Sequence, residues 1–437
     1  MVATRLPNTM LKLLDLRNID GDYLAVLPRP KSAATPPIDA VKAIVDDVRE
    51  RGDQALLELT NRFDKVALSK LEVSREGIEA AYKRLDSALR QGLEVAAEAI
   101  EGYYQAELHE DRTIVQNHMV IHQMTRPVDV AGCYVPGGKA RYPSSVLMTA
   151  IPARVAGVKK VILCSPPTPD GNLDDGTLAA AYIAKVDHVY TVGGAQAIAA
   201  MAYGTDSVQK ADVIVGPGNV YVSQAKRLVS DVVGIPMSYA GPSEVVVIAD
   251  SAVDATWAVM DVIVQAEHGP DGLAWLVTWD EDLANKADGI CEEILSTSPR
   301  HSETMATLEE GGFVALVRDR QQAMDVSNAI APEHLEILTS DYNDMLPLIR
   351  NAGAVFLGTH ASASVGDYLA GPSHVLPTNG TAKFASALSL VDFQKRIHAI
   401  EVGAQAIDLI GSHLQEIAAA EGLWAHGQSA KIRMERQ

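Results

Sequence analysis

Residues 128–138 read VDVAGCYVPGG, a short apolar run closed by Pro136, Gly137 and Gly138. The run 128–135 is strand-like, because small and β-branched apolar residues suit a buried pleated surface. Pro-Gly-Gly breaks it, and residues 143–157 then read as a helix. The same unit recurs downstream. Residues 161–164 form a second strand, and 188–192 form a third that runs into Gly193-Gly194 and a helix. A fourth, 213–215, ends in Gly216-Pro217-Gly218-Asn219 before a helix through Leu228. Strand, glycine turn and helix in repetition predict an α/β fold with a parallel, nucleotide-binding type of sheet.

Working outward, the rhythm resumes after Gly241-Pro242-Ser243 with a strand at 245–248 and a helix through His268. Strands at 274–278, 313–317 and 354–357 follow. This predicts a second parallel sheet. Upstream, residues 1–27 read as an arm and 27–37 as a Pro-rich linker. Val41, Ile44, Val45 and Val48, then Leu56 and Leu59, recur at helical spacing. At the other end a helical segment at 399–420 breaks at Gly422, just before Trp424, Ala425 and His426.

The bulk properties agree with a globular enzyme. The 437 residues are 47% hydrophobic but only 5% aromatic, a composition expected of α/β enzymes in more than one packed unit. Lys and Arg number 37 against 56 Asp and Glu, a net charge of −19, which speaks against nucleic acid or an anionic membrane as partner. Cys133, Cys164 and Cys291 are odd in number and far apart, a pattern of packing residues in a reducing compartment rather than of disulfides or a thiolate metal site. With no apolar leader and no apolar run of about 18 residues, a cytoplasmic location is the default expectation.

Several polar residues can carry chemistry. Gln265 and His268, three apart at a helix end, can meet one ion. Taken alone they read rather as a polar surface pair at a helix end. Asp367 and His426 are possible distant partners in loop-like places, and one Gln, one Asp and two His make a nitrogen and oxygen donor set suited to Zn²⁺. Glu333 and His334 follow Pro332 at the entry to a strand, where imidazole could take a proton and the carboxylate could activate water; a solvated loop pair is the plain alternative. None of the glycine loops is a strict G-x-G-x-x-G, yet they allow a cofactor to approach backbone, with Tyr134, Gln196 and Asn219 within reach. Ser243 could bind substrate or cap a turn.

At these residues the chain resembles the histidinol dehydrogenase family. The matching stretches include GCYVPGG at 132–138, YPSSVLM at 142–148, VGGAQAI at 192–198, VGPGN at 215–219 and AGPSE at 240–244. QAEH at 265–268, APEHLE at 331–336, GDY at 366–368, HVLPT at 374–378 and EGLWAH at 421–426 complete the series, in family order. The resemblance implies two incomplete Rossmann-like domains with parallel sheets, a small N-terminal arm (1–27) and a helical C-terminal dimerisation segment (389–437). The first domain would comprise 28–133 and 243–388, and the second, NAD-binding domain 134–242. It also implies one zinc ion per subunit on Gln265, His268, Asp367 and His426, with His426 delivered by the other chain of a homodimer that shares its active sites. NAD would meet Tyr134, Gln196 and Asn219; substrate would meet Ser243, His334, Asp367, His374 and Glu421 besides the zinc ligands. The implied reaction is oxidation of L-histidinol to L-histidine through a bound aldehyde, with two NAD consumed and Glu333 and His334 as the catalytic residues.

Ala363, Ala387, His398 and Trp424 depart from the family pattern. They motivate an alternative, oxidation of another small polar alcohol such as a sulfopropanediol. A non-catalytic scaffold is disfavoured, because it has no reason to keep costly polar groups together.

Overall fold

In the computed structural model of the chain, residues 9–28, 37–137, 141–237, 243–267, 269 and 272–435 are described. The first segment holds β1 (Lys12–Asp15). A layer of helices and one short strand follows: α1 (Ile38–Arg51), α2 (Asp53–Asp64), β2 (Glu72–Val73), α3 (Arg75–Arg84) and α4 (Ser87–Glu107). Val41, Val45 and Val48 are buried on one face of α1, as their helical period demands. Next comes a hairpin, β3 (Arg112–Gln116) and β4 (Met119–Pro127). Its turn residues Asn117 and His118 both take positive φ, the turn geometry that matches the twist of the flanking strands.

The alternating unit then runs β5 (Val130–Tyr134), α5 (Pro143–Val155), β6 (Lys160–Ser165), α6 (Asp175–Ile183), β7 (His188–Thr191), α7 (Gly194–Tyr203), β8 (Val213–Val215) and α8 (Val220–Leu228). The second series is β9 (Glu244–Ile248), α9 (Ala255–Ala266), β10 (Leu273–Thr278), α10 (Glu281–Leu295), α11 (His301–Gly311), β11 (Gly312–Leu316), α12 (Arg320–Ile330) and β12 (His334–Ile337). The short α13 (Tyr342–Met345), then β13 (Ala354–Leu357), α14 (Ala363–Tyr368), β14 (Gln394–Val402), α15 (Ala404–Ala420) and α16 (Trp424–Met434) end the chain. Asp174, Asn219, Asp254 and Asp280 accept backbone N–H groups in the first turns of α6, α8, α9 and α10, which explains where those helices begin.

The strands form three sheets. One is all parallel in the order β1-β11-β10-β9-β12-β13. A second has the order β2-β7-β6-β5-β8, parallel except for β2. The third is antiparallel, β14-β4-β3. In the second sheet β6 and β8 flank β5 on opposite sides, so a crevice opens between the carboxyl ends of β5 and β8. Gly216 lies there at φ 107°, where a Cβ would overlap the carbonyl of Tyr134; glycine alone permits that approach.

Both predicted parallel sheets are present, but they divide the chain differently from the expected boundaries. The arm is not separate: β1 pairs with β11 and adds an edge strand to the first sheet. Helices α1 to α4 pack on the second sheet rather than the first. Val41, Val45 and Leu56 share a core with Ile162, Tyr190 and Ile198, while Leu93 and Ile100 join Leu147 and Leu163. A boundary at 133/134 would cut the central strand β5. Burial of α1 to α4 on whichever apolar sheet face they meet is a tertiary fact that periodicity does not encode. The helix expected at 399–420 is β14 up to Val402, paired residue for residue with β4, and only then α15. Cys133, Cys164 and Cys291 are free and buried. Among the described residues no helix is long and apolar enough to cross a membrane.

Candidate active site

The polar residues singled out in the sequence meet where the two parallel sheets face each other. Strand β12 opens with His334, directly after Glu333, and its alternation places His334 and Glu336 on one face. Gln265 lies near the end of α9, with Asp261 one turn earlier on the same side. Gly366 sits in α14 against the ring of Phe356, so closely that a Cβ would overlap it, and this brings the next residue, Asp367, to the site. Ser243 precedes β9. The site therefore uses the amino ends of β9 and β12 in one sheet and the carboxyl end of β8, at Gly216 to Asn219, in the other.

Gln265, Glu333, His334, Asp367, His374 and Ser243 line one cavity of about 430 Å³, together with Asn219. His334 is its centre. The Nδ1 and Oε1 of the His334–Gln265 pair are 3.1 Å apart, and Nε2 lies 3.6 Å from a carboxylate oxygen of Asp367. Since Gln265 Oε1 can only accept, Nδ1 carries the hydrogen and the Nε2 lone pair of neutral His334 faces the cavity. Burial presses the imidazole toward neutrality, but the Glu333 charge and the bond to Asp367 outweigh it and hold the pKa above the usual value. His374 donates from Nδ1 to the backbone carbonyl of Asp367 at 2.8 Å and bonds Ser145 through Nε2 at 2.9 Å. Glu333 accepts the backbone N–H of Glu244 at 3.3 Å.

Beneath this layer lies a second set of buried carboxyls. Glu336 accepts the backbone N–H of Ala363, the first residue of α14, at 3.0 Å, and meets Asp261. Burial, then the nearby Asp261 charge, push Glu336 up to about 9. Glu244 accepts the N–H of Gly380; burial, reinforced by the Glu333 charge, pushes it up to about 8. Lys226, also on the cavity wall, donates to the carbonyls of Gly216 and Met237, and burial pulls its pKa down to about 8.

Not every expected residue lies on this wall or in the expected element. The hydroxyl of Tyr134 accepts the N–H of Gly194, and Tyr134 and Gln196 are buried behind the cavity rather than on its wall. Asn219 caps α8. Asp367 and His426 belong to α14 and the first turn of α16, not to loops. Glu421 and His426 are exposed on the C-terminal helices and do not line the cavity. His268 lies outside the described residues, and among those described no three His, Cys, Asp or Glu side chains gather as a metal site. Ser145, Lys226, Glu244 and the Asp261–Glu336 pair were not foreseen. Ser145, Glu244 and Glu336 had a signal, their places in the YPSS, AGPSE and APEHLE stretches; Lys226 and Asp261 had none.

The sequence pattern that defines histidinol dehydrogenases matches residues 27–434. The chain belongs to the histidinol dehydrogenase family. A histidinol dehydrogenase of Chromobacterium violaceum is 46% identical over 431 residues, covering 98% of this chain and 99% of that protein. One from Pseudomonas fluorescens is 47% identical over 401 residues, covering 91% and 89%. The crystal structure of histidinol dehydrogenase from Elizabethkingia anophelis superposes with a TM-score of 0.94 at 34% identity, covering 98% of this chain and 99% of that one. Family and fold thus agree over the same length, and the family is one of oxidoreductases.

Proposed function

We propose that the chain oxidises L-histidinol to L-histidine through a bound aldehyde, with zinc in the site and NAD as hydride acceptor. The observation that carries this reading is the meeting of Gln265, His334 and Asp367 in one buried cavity that also opens on the switch point of the second sheet. The residues suit a cation. Asp367 offers a carboxylate and Gln265 Oε1 keeps a second lone pair; Gln265 Nε2, buried with no partner among the described residues, is a donor that an acceptor atom of a bound substrate, not the cation, would satisfy.

Gln265, His268, Asp367 and His426 would hold the zinc, which would supply a Lewis acid for the substrate nitrogens. Asn219 and the loops at Tyr134 and Gln196 would hold NAD, which would supply the hydride acceptor for each of two oxidations. His334 takes the hydroxyl proton at Nε2 as the C–H hydride leaves, and Gln265 keeps its ring in the right tautomer. Glu333 takes a proton from the water that adds to the aldehyde. His374, fixed between Ser145 and the Asp367 backbone, orients the substrate together with Ser243. Contacts that hold the substrate nitrogens through both steps would keep the aldehyde from escaping between them.

His426 and Glu421 come from a second copy of the chain. They stand exposed beside Leu409, Ile417 and Trp424, the last 76% exposed, an apolar surface of the kind that marks an interface. The alternative of another small polar alcohol gains no support: Ala363, Ala387 and His398 do not line the cavity, and the relatives that match along the chain are histidinol dehydrogenases. The test is stoichiometry. Zinc-loaded protein should form two NADH per L-histidinol with no aldehyde reaching an external trap, and His334→Ala should slow turnover about 10²- to 10⁴-fold. One NADH per substrate, or none, rejects the proposal.

A further inference from the structure

The second sheet carries a larger opening, a cleft of about 1250 Å³ floored by Gly137, Ser165, Pro166 and Thr191 at the carboxyl ends of β5, β6 and β7. It shares Pro136 and Tyr142 with the cavity that holds His334. Asp64, the last residue of α2, stands on its wall. One of its carboxylate oxygens, Oδ2, is shielded from water and has no hydrogen-bond partner among the described residues. A buried acceptor left unpaired is costly, and the carboxyl end of a helix is the wrong end for a negative charge. Three cations of this region are engaged elsewhere. The ammonium of Lys65 turns to the carbonyl of Arg62, and the guanidinium groups of Arg84 and Arg141 pair with Asp175 and Asp174.

The position of Asp64 shows what would satisfy it. A dinucleotide whose nicotinamide lies beside His334 must pass Pro136 to place its adenosine half in this cleft, and a carboxylate is the group that holds ribose hydroxyls in dinucleotide sites on parallel sheets. Building on the NAD reading above, we infer that Asp64 accepts hydrogen bonds from the adenosine ribose hydroxyls of the dinucleotide and is a binding residue for that half of it. Burial lifts the carboxyl to about 6, which still leaves it ionised at neutral pH.

Calorimetric titration of the full-length, zinc-loaded protein with NAD, and with NAD analogues lacking the adenosine 2′- or 3′-hydroxyl, tests the assignment. The native chain should bind at least one analogue about tenfold more weakly than NAD, and Asp64→Ala should bind NAD about 10- to 100-fold more weakly than the native chain does. In the variant the analogues should show no further loss. Asp64→Ala and the isosteric Asp64→Asn should melt no lower than the native protein, since Oδ2 has no hydrogen-bond partner among the described residues. Equal NAD affinity in native and variant chains, or the same analogue penalty in both, overturns the assignment and leaves the dinucleotide reading standing. Failure of the native protein to bind NAD overturns both.

Discussion

Glu244 shows how a single buried group couples the site to pH. Its carboxyl ionises near 4.5 when exposed and near 8 in the fold. Between those values the fold holds a proton that the unfolded chain has lost, so stability is full below about 4.5 and falls as pH rises through 8. Glu244→Gln keeps an acceptor for Gly380 and removes this dependence. Urea unfolding should place the variant and native chains within about 1 kcal/mol of each other at pH 5, and the variant ahead by about 2–4 kcal/mol at pH 8.5; a gap that narrows with rising pH contradicts the account. At this scale the sequence was partly legible. Glu333 and His334 announced themselves as an acid and an imidazole side by side at a strand entry. Glu244, Glu336 and Asp261 did not, because a carboxylate inside an apolar run looks like a solvent-facing residue until the packing around it is known.

Helix α14 is the element on which the account leans most. It is pinned at one end by the Ala363 N–H to Glu336 and along its side by the Gly366 contact with Phe356, and the Phe356 ring also lies 5.9 Å from that of His334. Gly366→Ala would force the helix off Phe356 and carry Asp367 with it. Overpacking of this kind costs about 1–3 kcal/mol. We expect a lower melting temperature, weaker zinc binding by competition with a chelating dye, and a turnover reduced about tenfold or more; unchanged zinc affinity and turnover would show that α14 does not position Asp367. Six residues with Gly366 in the middle gave no helical period to read, so Asp367 looked like a loop residue. The β14 segment was lost for a related reason: Ile397, Ile400 and Val402 fit helical and strand spacing about equally, and the pairing with β4 decides. The hairpin turn at Asn117 and His118 did leave a mark, since Asn tolerates positive φ.

Across the whole molecule, the site arises from two parallel sheets meeting end to end, the amino ends of one opposite the carboxyl ends of the other. Both sheets were legible from 128 onward, because buried parallel strands separated by glycine turns leave a plain pattern. Which helices cover which sheet was not, and neither was the capture of β1 by the first sheet. The exposed apolar positions of α15 and α16 complete the picture if they pack on a second chain. Leu409→Asp combined with Ile417→Asp should give a monomer in sedimentation and lose activity with the dimer; an active monomer would remove the partner from the site. The most direct test mixes two inactive chains, one His334→Ala and one His426→Ala, unfolded and refolded together. If His426 serves the partner's site, mixed dimers hold one intact site, and random pairing restores about one quarter of native L-histidinol-dependent NADH formation. If His426 serves its own chain, or the reaction is a different one, the mixture stays inactive.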